Sequence, residues 1–245
     1  DSAHKTLPAL TGSAYLHLSE KAAKEVGDIA KAAMMMFGST SPSYLILESL
    51  DLCNEYLASD FRKELAEMIA RIDRLKEELA EKGIPVFNAG RDKLFERGKL
   101  TIHSSKIGLS GYEAAERLRQ NNIEPEFADD DFVVLMFTTR NPDKDFDRVR
   151  QVLLGLPRGE EKESVQAALF SELPERRMSI RAALLSRHEY VSVKDAAGRI
   201  CGEPSVSCPP AVPIAVCGEI ISESMCRVFE AYNIQRIAVV EDQRF

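Results

Sequence analysis

The sequence predicts an α/β protein. Three observations carry that expectation. A long stretch from Ser43 to Lys82 has helical periodicity, short apolar runs alternate with amphipathic segments after Gly83, and 44% hydrophobic with 29% charged residues is ordinary globular composition. A chain of 245 residues is long enough to bury a substantial core, as one or two domains.

The elements follow in order. Residues 1–18 read as a loop punctuated by Gly, Ser and Pro, followed by a short apolar strand over Ala14–Leu18. Residues 19–36 are helix-compatible. The run Gly38-Ser39-Thr40-Ser41-Pro42-Ser43 breaks the pattern, and its hydroxyls and proline suit a turn that caps the next helix. Leu65, Ile69, Ile72, Leu75 and Leu79 recur at four- and three-residue steps, which places them on one stripe. Gly83 supplies the stop, and a division into two helices is expected near Ala58-Ser59-Asp60.

Beyond Gly83, residues 84–87, 100–103 and 133–137 read as strands, with helices over 111–121 and 146–154 between and after them. That alternation implies a small α/β domain. A polar linker at 157–162 leads to a final segment. Helices are expected there near 162–172, 178–186 and 218–231, with strands near 189–193, 212–216 and 234–240.

Charge and composition narrow the function. A net charge of −7 argues against a nucleic-acid footprint, which needs a basic face. No apolar run approaches the roughly 20 residues that span a bilayer, so no membrane association is expected. Asp1–Lys5 shows neither a basic start nor an apolar core of a signal peptide. With no initiator Met, the chain is expected to begin inside a longer product.

The five cysteines, Cys53, Cys201, Cys208, Cys217 and Cys226, form no CxxC pair. They read as reduced thiols used as small hydrophobes, consistent with a cytoplasmic protein and no metal site. His17, His103 and His188 have no neighbours at ligand spacing and read as structural. Asp129-Asp130-Asp131 reads as a flanking loop rather than a metal site. Lys106 and Arg140 could contact a carboxylate, but nothing in the sequence singles them out.

The richest motif is the first: Asp1-Ser2-Ala3-His4-Lys5-Thr6-Leu7-Pro8-Ala9-Leu10-Thr11. It resembles the pyridoxal phosphate (PLP) attachment segment of the Orn/Lys/Arg decarboxylases, whose core is Ser-x-His-Lys followed by Leu-Pro-Ala-Leu. A lysine amine can condense with the cofactor's aldehyde, and a hydroxyl and an imidazole beside it can donate to a phosphate. The resemblance implies covalent attachment at Lys5, with Ser2 and His4 as its helpers.

The turn Gly38–Tyr44 resembles the family's Thr/Ser-rich segment. It implies that Ser39 or Thr40 donates to a cofactor phosphate across a dimer interface; a plain helix cap is the alternative, and both can hold together. Gly108–Tyr112, Met178–Ala183, Ala196–Ile200 and Pro209–Ile214 are similar to the family's later domains. Ala211 and Cys217 stand where the family pattern has Gly and Pro, which puts local turn geometry in doubt. Glu126 could face a substrate's distal cation or be a solvated strand residue.

The resemblance spans essentially the whole chain and implies the C-terminal portion of a fold-type I, aspartate aminotransferase-like enzyme. Residues 1–80 are expected to close the large PLP-binding domain and its linking helices, 81–157 to form the small α/β domain, and 158–245 the family's C-terminal domain. The implied reaction is PLP-dependent decarboxylation of arginine, lysine or ornithine, giving a polyamine or its precursor, in a homodimer at least. The carboxylate for the pyridine nitrogen, a ring-stacking side chain and a phosphate loop precede the lysine in this family. A missing N-terminal half is therefore expected, with apolar faces exposed and little activity in the isolated chain. A fold-type I aminotransferase or another amino-acid lyase is disfavoured by Leu7-Pro8-Ala9-Leu10 and by Pro209-Pro210-Ala211-Val212-Pro213. A non-catalytic C-terminal fragment or interaction module is the reading from another class.

Overall fold

A computed structural model describes residues 1–38, 40–87, 96–162, 173–203 and 213–241. It is an α/β structure arranged as two compact units. The first comprises Asp1–Leu75, Glu96–Lys99 and Met136–Asp143; the second comprises Lys76–Phe95, Leu100–Leu135 and Lys144–Phe245.

The first unit is built on helices α1 (Glu20–Phe37), α2 (Tyr44–Ala58) and most of α3 (Phe61–Glu81). Serines start the first two. Ser19 accepts from the Ala22 amide and Ser43 from the Ile46 amide, each satisfying a donor the first turn leaves open. The break between α2 and α3 falls at Ser59, where the backbone leaves the helical region (φ −106°, ψ −101°), as the sequence predicted. No residue of α1 is buried, and Met36, Phe37 and Tyr44 are more than three-quarters exposed.

A polar cluster ties the α2–α3 turn to residues 138–141. The Tyr56 hydroxyl bonds the Glu64 carboxylate and lies 2.6 Å from Thr139 Oγ1, while the Arg140 guanidinium sits 4.5 Å over the Tyr56 ring. Burial, then the bond to Glu64, raises the Tyr56 pKa, so the hydroxyl keeps its proton and acts as donor to Glu64. We predict that Tyr56→Phe lowers stability by about 1.5–3 kcal/mol, the scale of a lost hydrogen bond to a charged partner. Chemical denaturation followed by circular dichroism checks this; an unchanged midpoint would show that the hydroxyl contributes nothing.

The second unit holds a three-stranded sheet in the order β1-β3-β2, made of β1 (Lys99–His103), β2 (Phe127–Ala128) and β3 (Phe132–Met136). β2 and β3 run antiparallel, pairing Phe127 with Val134 and Ala128 with Val133. Alternation puts Leu100, Ile102, Val133 and Leu135 in the core. Helix α4 (Gly111–Gln120) packs against β2 and buries Ala114, Ala115 and Leu118; α5 (Asp143–Leu154) buries Phe146, Val149 and Leu153. His103, read as structural, stacks on Phe132 at 4.3 Å between ring centroids.

A second core gathers under β4 (His188–Ser192) and β5 (Arg236–Val240), which pair antiparallel from His188↔Val240 to Ser192↔Arg236. Val193, Cys201, Ile221, Phe229 and Val239 fill it, with Phe229 on α7 (Glu223–Ala231). Burial pushes the Cys201 thiol up to about 11, so it behaves as a hydrophobe.

Several expectations are corrected. Residues 14–18 form no strand: only Ala14 bridges, to Ser2, because the following apolar residues find no ladder partner. Residues 84–87 make a single bridge, Val86 to Ile102, with Pro85 unable to donate. Residues 213–216 are not a strand either; the pairing occurs three residues on, at Glu219 and Ile220. The helix expected from 218 starts at Glu223, since Gly218 takes φ +96° and Ser222 caps the first turn. The helix near 178–186 contracts to α6 (Ile180–Leu184), capped by Ser179. The short β2 was not anticipated. The helix expected near 162–172, Val212 and Cys208 lie outside the described residues.

The acidic run is a structural turn. Asp129 and Asp131 are almost wholly buried, and Asp129 Oδ1 accepts from the amides of Asp131 (2.9 Å) and Phe132 (2.6 Å). Among the described residues, no three His, Cys, Asp or Glu side chains are grouped to hold a metal ion.

The start of α4 carries a pH-sensitive cap. Ser110 and Glu113 form a capping box, and Lys162 bonds Glu113 at 2.7 Å. The Lys162 ammonium, then the Ser110 amide, holds the Glu113 carboxyl down at about 2 against an ordinary 4.5. A depressed carboxylate pKa stabilises the fold above pH 4.5 and loses that contribution as pH falls toward about 2. Because the pair is half-exposed, we expect only about 0.5 kcal/mol at stake. Denaturation of Glu113→Gln across that window should show a shallower acid loss than the parent; an identical slope would refute the assignment.

Candidate active site

The Lys5 segment is a closed loop. The Tyr15 amide donates to the Asp1 carbonyl at 2.8 Å and the Ala3 amide to the Ser13 carbonyl at 3.1 Å, with Ser2 bridging Ala14. Ala3 is fully buried and Ser13 nearly so. Within the return, the Ser13 hydroxyl donates to the Leu10 carbonyl at 2.6 Å. Gly12 makes the reversal possible: its φ of +100° is a conformation L side chains rarely adopt, and an added Cβ would meet Ile46 Cδ1 at 3.4 Å.

Helix α2 supports this loop. The Leu10 amide donates to Ser49 Oγ at 3.1 Å, while Ser49 Oγ donates to the Ile46 carbonyl at 2.8 Å. Tyr15 donates to Asn54 Oδ1 at 2.9 Å, and burial raises its pKa, so it remains protonated. These supports were not read from the sequence. No local pattern marks them: Ser49 and Asn54 on α2 lie more than thirty residues from the residues they hold.

Ser2, His4 and Lys5 are thus brought together on one loop, with Ser2 exposed and His4 and Lys5 half-buried. His4 Nδ1 lies 3.4 Å from the Ser13 carbonyl oxygen, a long hydrogen bond. A carbonyl only accepts, so Nδ1 is the donor there. Neutral His4 then presents Nε2 as an acceptor, and it donates from Nε2 only as an imidazolium. Thr40 is exposed in the connection before α2, and Ser39 lies outside the described residues. Glu126 is half-buried in the second unit, its amide donating to the Val134 carbonyl at 2.9 Å. Arg140, left open by the sequence, is engaged with Glu64 at 3.5 Å and with the Tyr56 ring. No helix among the described residues is long and apolar enough to cross a membrane.

The loop carries one half-buried lysine on a hydrogen-bonded backbone, in an α/β structure. Residues 1–99 match the family model for the Orn/Lys/Arg decarboxylase major domain, and residues 163–235 match that for the Orn/Lys/Arg decarboxylase C-terminal domain. The chain belongs to the Orn/Lys/Arg decarboxylase family.

It is 29% identical over 233 residues to an arginine decarboxylase of Bacillus subtilis, covering 91% of this chain and 47% of that protein. It is likewise 29% identical over 238 residues to an arginine decarboxylase of Halalkalibacterium halodurans, with the same coverage. Among solved structures, the constitutive lysine decarboxylase of E. coli superposes with a TM-score of 0.68 over 98% of this chain and 49% of that one. At 16% identity that likeness speaks to the fold alone. The chain spans about half the length of the relatives it matches.

Proposed function

We propose that this chain is part of a PLP-dependent decarboxylase of a basic amino acid, with Lys5 as the cofactor-bearing residue. The observation that carries the reading is the closed loop holding Ser2, His4 and Lys5 on α2, inside the stretch that matches the major domain. The side chains present fit the attachment end of such a cofactor: one half-buried primary amine, flanked by an imidazole and an exposed hydroxyl. When bound, the cofactor supplies an electron sink for the pair left behind as carbon dioxide departs.

The chain's own residues supply the attachment and part of the phosphate and substrate contacts. Lys5 Nζ provides the attachment and, when released, carries a proton. Ser2 Oγ is a phosphate donor, and His4 joins it when protonated at both ring nitrogens. Thr40 and Ser39 are proposed to donate to a phosphate across a homodimer interface. Glu126 is the weaker candidate for the substrate's distal cation. The frame we propose is fold-type I, in a cytoplasmic enzyme whose remaining ring-holding groups lie in an N-terminal half.

Because the chain covers about half of its relatives, the test supplies the other half. The chain is mixed with PLP and with the N-terminal half of the Bacillus subtilis arginine decarboxylase, then offered arginine, lysine and ornithine. We expect carbon dioxide release from one of the three, and little or none from the isolated chain. A reconstituted complex that binds PLP yet decarboxylates none of them would overturn the reading.

A further inference from the structure

We infer that Ser49 is a positioning residue for Lys5: its hydroxyl on α2 pins the Lys5 loop so that the amine is held in a reactive orientation. The inference rests on Lys5 being the cofactor-bearing residue. The connection runs through named atoms. Ser49 Oγ accepts from the Leu10 amide, the Leu10 carbonyl accepts from both the Ser13 hydroxyl and the Ser13 amide (3.3 Å), and the Ser13 carbonyl accepts from the Ala3 amide two residues before Lys5.

Ser49 is itself oriented. Its hydroxyl proton goes to the Ile46 carbonyl at 2.8 Å, which leaves an oxygen lone pair for the Leu10 amide. One hydroxyl therefore spans from the helix backbone to the loop backbone. The neighbouring Tyr15–Asn54 bond fastens the far end of the same loop, so the segment is held at two points along α2. A loop fixed at both points presents Lys5 within a narrower range of geometries, and orientation of a reacting group is a rate factor.

The helix itself gains nothing from Ser49. Alanine has the higher helix propensity, so Ser49→Ala removes the loop contact while leaving α2 at least as stable. That separates positioning from folding. In the experiment, the chain paired with the N-terminal half of the Bacillus subtilis arginine decarboxylase is incubated with PLP, whose aldehyde condenses with an amine and releases water; borohydride then delivers hydride to fix the adduct. Mass spectrometry reads the labelling rate at each lysine.

Wild-type Lys5 should label faster than the exposed Lys24. In Ser49→Ala the Lys5 rate should fall about three- to tenfold, the effect of one lost hydrogen bond. Ser49→Thr, which keeps the hydroxyl, should restore it. The rate at Lys24 and the helical circular dichroism should stay constant, and amide exchange at Leu10 should speed up in the alanine variant alone. Preferential wild-type labelling with no change in Ser49→Ala would overturn the positioning role and leave the Lys5 assignment intact. A fall in Ser49→Thr equal to that in Ser49→Ala would also overturn it. No wild-type preference for Lys5 would sink the assignment and the inference together.

Discussion

Lys5→Ala is expected to abolish fixation of PLP at that position and to lower decarboxylation by the reconstituted enzyme about a thousandfold, the scale on which positioned nucleophiles and proton carriers act. The backbone bonds that close the loop are made by residues other than Lys5. The loop's closure rests on Ala3, Leu10, Ser13 and Tyr15, and its support on Ser49 and Asn54. The variant should therefore fold as the parent does, with an unchanged thermal midpoint. Turnover from the parent and the variant, measured with added PLP, decides the matter. If the alanine variant keeps more than about a tenth of the parent rate, a lysine with this role must be sought elsewhere.

Among the described glycines of the second unit, Gly111→Ala is expected to produce the largest loss of stability. Gly111 opens α4, its amide donating to the Asp130 carbonyl at 3.2 Å. A Cβ there would stand 2.0 Å from the Phe132 carbonyl oxygen and 2.3 Å from that of Asp129. Both obstacles are backbone, and a Cβ has no rotamer with which to avoid them. The gain in helix propensity at this first helical position is at most about 1 kcal/mol. The overlap forces α4 away from a turn locked by the buried Asp129 carboxylate, at a cost of about 3 kcal/mol or more. The net loss should be at least about 2 kcal/mol by denaturation. Since the chain has no tryptophan, circular dichroism is the signal. A variant as stable as the parent would show that α4 moves without resistance.

The two variants differ in how legible their positions were. Lys5 stood out because an extended local motif names it, and a covalent attachment needs only one side chain of a given type. Gly111 did not, because the sequence shows a glycine before an amphipathic stretch and nothing of the carbonyls that crowd it. The same contrast holds for the helices. The stripe Leu65, Ile69, Ile72, Leu75 and Leu79 predicts α3, and the Ser59 break was visible in the local residues. The strand expected over 14–18 failed because β structure depends on a partner, and periodicity alone does not say whether one exists.

What the sequence by itself determined is therefore what local chemistry controls: the α/β character, the cap of α2 within the turn at residues 38–43, and the lysine motif with its two flanking polar residues. Only the tertiary structure decided which distant groups hold those residues in place. Ser49 is thirty-nine residues from Leu10, Asn54 is as far from Tyr15, and Tyr56 is eighty-three from Thr139. Hydrogen bonds at such separations leave no periodic trace. They exist because folding brings a donor and an acceptor within 3 Å or so, and a one-dimensional pattern carries no record of that distance.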